Sequence, residues 1–388
     1  MNRDRKDKNM VLRKYLDELG PGPEQRTAEW LRRRMKTIGG SEVATVAGLN
    51  PWQKIPDLVA QKIGISSFRG NILCHWGICF ETQLQLYLEK TFRTKIYETG
   101  SIAGPTNQSY SPDGLCVIDK DVVVENLRKN GMKVNEEKMM RWVKDYGGER
   151  DLEQIIVLWE LKNPFRRNPT HEVPEYYIPQ IKSGLALIKV MELGIFCQAV
   201  YRRCSLTQLF NKGYDADLNG DAAPFSESEV IERGVIFIYS KSPDTIAVSS
   251  MSNLADFGRK SERLADILED IAEKRLFCHY FQGSSTLTPT DVIENFNAFN
   301  KYCKTNGFTP YGCLPFKLFK VYLTPVYKNP TYNQKFAKEI NEVMKIVTDC
   351  LNTDNFDDML AKYSKYFPRK KKRVTKNDQK DMDLLMSL

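Results

Sequence analysis

A chain of 388 residues exceeds a single minimal domain, so one enlarged core with an added module is expected rather than two equal domains. Hydrophobic residues make up 41% and charged residues 27%, the balance of a soluble globular protein, and no apolar run approaches the roughly 20 residues that span a bilayer. The nine cysteines are scattered and never form Cys-x-x-Cys, which speaks against a disulfide framework, a four-cysteine zinc site or an iron–sulfur cluster.

Met1 to Lys14 is charged throughout and lacks the apolar segment of a signal peptide, so an intracellular protein is expected. The net charge of +8 is unevenly placed, with +5 in residues 1–36, +6 in residues 362–388 and −3 between them. Such ends serve either as solubilising segments or as phosphate attractors around a centre whose carboxylates hold metal.

In chain order, Pro21-Gly22-Pro23 breaks a short helical stretch and closes a basic N-terminal segment, residues 1–26. Thr27 caps a short helix bearing Trp30, Leu31 and Arg32-Arg33-Arg34. Ile38-Gly39-Gly40-Ser41 stops it; Ser41 opens a second helix, which Gly48 and Asn50-Pro51 end. A longer helix, about Cys74 to Lys90, carries Trp76, Phe80, Leu84, Tyr87 and Leu88 at helical spacing. Strands are expected over Ser109 to Val117, with a turn at Pro112-Asp113-Gly114, and over Ile155 to Leu161. Between them lies a polar insertion, residues 120–154, part of it helical from Glu136 to Val143. A helix from about Tyr176 to Leu193 tolerates Pro179 because it falls in the first turn. Strands at Phe196 to Tyr201, Val235 to Tyr239 and Thr245 to Ser249 complete the pattern. Residues 254–367 read as mainly helical, and 368–388 as a charged tail. The expected class is α/β: a mixed central sheet flanked by helices, its core in residues 27–253, with a helical C-terminal extension.

Two segments carry the chemistry. Asp113 sits in the turn Ser111-Pro112-Asp113-Gly114, and Glu160 and Lys162 lie two apart at the end of the next strong strand. Residues i and i+2 of a strand share a face, so Glu160 and Lys162 project together. Two carboxylates with the Leu161 carbonyl between them make a hard-oxygen site suited to magnesium or manganese. Such a metal lowers the pKa of a bound water and neutralises charge on a scissile phosphate, while Lys162 orients or deprotonates the water or stabilises the transition state. The three histidines, His75, His171 and His279, share no metal-ligand spacing.

Pro112-Asp113 followed by Glu160-Leu161-Lys162 resembles the signature of the PD-(D/E)xK nuclease superfamily. Arg34 ahead of Gly39-Gly40-Ser41-Glu42, Trp30 one helical turn earlier, Glu81 on the long helix, Ser111-Pro112-Asp113-Gly114-Leu115, and Tyr177 with Gln180 narrow this to the phage lambda exonuclease and YqaJ-like group and the viral alkaline nucleases. The resemblance covers about residues 28 to 250 and implies a restriction-endonuclease-like fold. By it, Asp113, Glu160, the Leu161 carbonyl and Glu81 (through water) serve a Mg2+ or Mn2+ ion. Arg34 and Ser41 bind the 5′-phosphate of a DNA end, Ser111 contacts phosphate, and Trp30, Tyr177 and Gln180 lie near the DNA. Read alone, Trp30 is more often a core anchor than a DNA contact, Glu81 is equally a solvated helix charge, and Arg34 one more surface cation unless its register with Ser41 counts.

The resemblance implies a metal-dependent exonuclease acting from duplex 5′ ends, with a single-strand annealing protein as a partner. A nuclease with endonuclease or RNase activity and a catalytically silent DNA-binding scaffold stay open at this point. Pro368-Arg369-Lys370-Lys371-Lys372-Arg373 resembles a nuclear import signal read by an import receptor, although five successive cations also grip phosphate. It favours the nucleus of a eukaryotic host cell, with the cytoplasm as the other location, and a virus of eukaryotes as source. No membrane partner is expected.

Overall fold

The computed structural model describes residues 7–20, 22, 27–64, 70–104, 107–147, 153–216, 225–242, 262–353 and 362–363. Helices α1 (Lys8–Leu19), α2 (Ala28–Met35), α3 (Gly40–Val46), α4 (Ile55–Lys62) and α5 (Ile72–Phe92) form the first part of the chain. Short strands β1 (Ile38–Gly39), β2 (Ile102–Ala103) and β3 (Gln108–Tyr110) pair in a small sheet of order β1-β3-β2. The main sheet comprises β4 (Gly114–Asp119), β5 (Gln154–Lys162), β6 (Leu193–Arg203), β7 (Glu232–Ser240), β8 (Phe277–His279) and β9 (Thr309–Tyr327), in the order β4-β5-β6-β9-β7-β8. Around it pack α6 (Lys120–Lys129), α7 (Glu136–Gly147), α8 (Ile178–Leu187), α9 (Leu206–Phe210), α10 (Glu262–Ala272), α11 (Pro289–Asn306) and α12 (Ala337–Leu351). The class is the expected mixed α/β.

Helices cover both faces of the sheet, which is why β5 reads as a continuous apolar run instead of an alternating one. Its Ile155, Val157, Trp159 and Leu161 enter the core built with Trp76, Phe80, Leu84 and Leu88 of α5. Ile156 and Leu158 enter the opposite core with Tyr110, Ile181 and Leu185. Strand β5 is antiparallel to β4 but parallel to β6. A parallel neighbour requires a crossover, and α8 supplies it. The predicted helix from Tyr176 to Leu193 is shorter than expected: a 3-10 turn at Glu175–Tyr177 precedes α8, and the chain extends at Ile188 to enter β6. Pro179 does lie in the first turn.

Thr27 caps α2, accepting the Trp30 N–H at 3.3 Å. The cap of α3 is Gly39, not Ser41, and the Glu42 carboxylate reaches back to accept the Gly39 N–H at 2.7 Å. The insertion holds α6 and α7. The predicted strand at Thr245 to Ser249 and the tail signal at 368–373 lie outside the described residues.

The C-terminal region is helical with one large exception, β9. This strand of 19 residues lies inside the sheet, antiparallel to both β6 and β7, so the region joins the core through the sheet. Its prolines, Pro310, Pro315 and Pro325, argue against an interior strand when read from sequence. Register shifts fall at Val200/Tyr201, opposite Phe319, and at Ile238/Tyr239, next to Pro310, while Pro315 and Pro325 keep regular partners in Val235 and Ile195. Helix α12 lays Ile340, Val343, Met344 and Val347 against Ile38, Val43, Val46 and Leu58, and so buttresses α3 and α4 from behind. Burying each such side chain contributes roughly 1.5–3 kcal/mol. Among the described residues no helix is long and apolar enough to cross a membrane.

Glu232, on β7, is buried, with the Lys90 ammonium 4.0 Å away. Burial pushes its carboxyl up to about 7, against the pull of Lys90. A carboxyl raised in the folded state holds its proton after the unfolded chain has lost it. Stability therefore falls as pH rises from about 4.5 to about 7 and is level above. Glu232→Gln should raise the unfolding free energy at pH 8 by about 2 kcal/mol and leave it unchanged at pH 4. Denaturant titrations at the two pH values check this; equal effects at both would refute it.

Candidate active site

The antiparallel register of β4 and β5 closes the 47-residue gap between the two acidic segments. Gly114 pairs with Trp159, so Asp113 stands one step beyond the ladder, across from Glu160. The Asp113 Oδ2 accepts the Leu161 N–H at 2.7 Å, and the Asp113 carbonyl accepts from Gln85 Nε2 at 2.8 Å. These two bonds hold the turn on which the carboxylate sits.

Lys162 Nζ hydrogen-bonds Glu160 Oε1, donates to the Leu161 carbonyl at 3.0 Å and lies 3.5 Å from Asp113 Oδ2. Burial raises the Glu160 carboxyl to about 7, opposed by Lys162 and reinforced by Asp113. Burial also disfavours the charged form of Lys162, but the Glu160 and Asp113 carboxylates outweigh it and hold the ammonium above the ordinary lysine range. In this arrangement Lys162 is a cation and hydrogen-bond donor held between the two carboxylates.

These oxygens provide a test of the implied metal. Two carboxylate oxygens and a backbone carbonyl converge on one cation, the donor chemistry that magnesium or manganese requires. Among the described residues no three His, Cys, Asp or Glu side chains cluster closely enough to hold a metal by themselves. The Leu161 carbonyl is the backbone oxygen that lies beside the two carboxylates, on the same Lys162 ammonium. Glu81 lines the same cavity of about 910 Å³ as Asp113 and Pro112, a placement that suits contact through water.

A second cavity of about 220 Å³ is lined by Trp30, Arg34, Gly39, Gly40, Ser41, Ser101, Ser109, Tyr110, Ser111, Asp113 and Gln180. Five residues expected at phosphate or DNA thus meet in one place: Trp30, Arg34, Ser41, Ser111 and Gln180. Asp113 lines both cavities. Trp30 is mostly buried, with the Arg34 guanidinium 4.9 Å from its ring centroid, so it is at once core anchor and support for Arg34. Tyr177 stands beside Lys162, whose ammonium lies 5.3 Å from its ring centroid.

Four residues that complete the site were not singled out from sequence. Tyr110 donates from its hydroxyl to Glu160 Oε2 at 2.7 Å. Its ring is clamped between glycines: a Cβ on Gly40 or on Gly184 would come within 2.4 Å of it. Burial first, and then the Glu160 and Asp113 carboxylates, push the phenol well up, so it remains a donor. Glu42 accepts from Arg34 Nη2 and from Lys62 Nζ, each at 2.8 Å. Burial opposes the Glu42 charge, but Arg34 and Lys62 outweigh it and lower its pKa. Lys62 also donates to the Arg34 and Thr37 carbonyls at 2.7 and 2.6 Å, which ties α4 to the end of α2. Gln85 carried a legible signal, since it follows Glu81 by four residues and so shares its face of α5.

Residues 29–188, which hold the carboxylate pair, the lysine and the arginine- and serine-lined pocket, match the model of the YqaJ-like viral recombinase domain. The chain is also 29% and 28% identical over 321 residues to one protein of African swine fever virus, taken from a Malawi and a South African tick isolate; the matches take in 80% of this chain and 82% of each of theirs. Two solved structures overlap more loosely. LHK-Exo in complex with dAMP gives a TM-score of 0.38 at 12% identity, over 87% of this chain and 99% of that one. An alkaline exonuclease (LHK-Exo) from Laribacter hongkongensis gives 0.30 at 18% identity, over 45% and 74%.

Proposed function

We propose that this protein is a metal-dependent DNA exonuclease that degrades one strand from 5′-phosphorylated duplex ends, leaving 3′ single strands for viral recombination or genome processing. The observation that carries this is the position of Asp113: its carboxylate meets Lys162 and the Leu161 N–H, and the same residue lines the pocket of Arg34, Ser41, Ser111 and Gln180. A terminal phosphate in the small pocket places the next phosphodiester near the centre, which is end-dependent hydrolysis by position.

Asp113, Glu160 and the Leu161 carbonyl would hold magnesium or manganese, with Glu81 assisting through water. When bound, the metal supplies charge neutralisation at the phosphate and activation of water. The chain's own residues do the rest. Lys162 presents a cation to the charge that builds on the phosphate oxygens. Tyr110 fixes the Glu160 carboxylate by its hydrogen bond, and the Leu161 N–H fixes that of Asp113. Arg34, oriented by Glu42 and Trp30, holds the terminal phosphate as a charge-assisted donor, with Ser41 and Ser111 as neutral ones. A single-strand annealing protein would take up the exposed strand. The 368–373 cluster would direct the enzyme to the host nucleus through an import receptor.

The test is linear duplex DNA with 5′-phosphates, incubated with the full chain with and without magnesium or manganese. The expected result is metal-dependent release of nucleotides from the 5′ terminus. Release from the 3′ terminus would overturn the polarity, cleavage of circles or RNA would favour an endonuclease or ribonuclease, and no degradation with any divalent ion would leave a DNA-binding scaffold.

A further inference from the structure

Trp52 is 73% exposed, the most exposed large hydrophobic side chain of the described residues. Its place is built. The Asn50 Oδ1 accepts the N–H of Trp52 at 3.0 Å and of Gln53 at 3.3 Å, and Asn50 Nδ2 donates to Thr45 Oγ1 at 2.9 Å. Gln53 is held in turn by Thr45 Oγ1 and by a bond to Gln61 at 2.8 Å. The loop is thus pinned to both α3 and α4, and the indole at its tip projects from a rigid mount.

Trp52 also ends an aromatic series that starts at the active centre. The Lys162 ammonium lies against Tyr177, Tyr177 packs on Tyr176 with centroids 4.4 Å apart, and Tyr176 meets Trp52 edge-on at 4.6 Å. The tyrosines are half-buried, so the series runs from the site to the surface. Aromatic faces in register with cations are the physical pattern of single-strand binding: cations track the phosphates and rings stack on the bases, whatever the sequence.

We propose that Trp52 and Tyr176 form a base-stacking platform for the DNA strand being degraded, seating unpaired nucleobases next to the nucleotide whose phosphate occupies the centre. The platform rests on the nuclease function proposed above and adds a requirement, that the strand be locally unpaired where it passes Trp52. An edge-on neighbour with most of the indole uncovered leaves the surface that a base needs.

The test uses the full chain, in chelator so that no strand is cut, and two 5′-phosphorylated single strands of equal length. One carries normal bases and the other has abasic sugars at its first several positions. Wild-type protein should bind the normal strand about tenfold more tightly than the abasic one, a ratio set by stacking of one or two bases. Trp52→Ala should lose that ratio by weakening the normal strand alone, while Trp52→Phe keeps most of it. Equal affinity of wild type and Trp52→Ala for the normal strand would overturn the platform, as would an equal loss on both strands, which would mark Trp52 as a support for the loop. Metal-dependent cleavage measured in parallel separates the two failures. An enzyme that cuts 5′ ends but shows no base-dependent binding loses only the platform. A protein that neither binds nor cuts loses both.

Discussion

Replacing Lys162 with alanine should lower the rate of phosphodiester hydrolysis by about 10²–10³-fold, with DNA affinity in chelator changed by no more than a few-fold. The ammonium contacts Glu160, the Leu161 carbonyl and the neighbourhood of Asp113, so it lies where the charge of a cleaved phosphate would develop. Its expected contribution is electrostatic, a cation set beside the charge that builds on the phosphate oxygens. The fold should survive the change. Glu160 already titrates at about 7, so its carboxyl can take up a proton when the cation is removed rather than stay buried, charged and unpaired. Single-turnover hydrolysis in excess magnesium, with thermal unfolding alongside, measures both effects. A rate close to that of wild type would remove Lys162 from the chemistry.

What the sequence shows of this site, and what it hides, follows from how far each residue's meaning is local. Glu160 and Lys162 share a strand face by period alone, and Arg34, Ser41 and Asp113 lie in short motifs whose order is visible. Tyr110 was hidden because its function depends on two glycines from different helices, Gly40 and Gly184, that admit its ring. Lys62 was hidden in the same way: α4 carried no motif, and only the packing of α3 and α4 on α12 brings its ammonium under Glu42. Strand β9 is not legible because its three prolines oppose an interior strand locally, and only its long-range pairing with β6 and β7 makes it one. The apolar run of β5 and the helical spacing of α5 bury the same residues that their patterns pick out.

Glu42→Gln should cost about 3 kcal/mol of stability at pH 7 and reduce the preference for 5′-phosphorylated over 5′-hydroxyl ends about tenfold. Glu42 is buried between Arg34 and Lys62, and its loss of charge leaves the Lys62 ammonium enclosed, with only the Arg34 and Thr37 carbonyls as partners. The pH dependence has a definite sign. A carboxyl whose folded pKa is lowered stabilises above its unfolded value of about 4.5, and that contribution disappears as pH falls through the folded value. The deficit of Glu42→Gln should therefore be full at pH 7 and shrink below about pH 4, the reverse of the pH trend expected for Glu232→Gln. A double variant, Glu42→Leu with Lys62→Met, separates structure from function. Replacing the buried pair with apolar side chains should restore part of the stability. It should not restore the end preference, because Arg34 still lacks the carboxylate that aims it. Recovery of both together would mean that Glu42 serves only the fold and that Arg34 finds the terminal phosphate unaided.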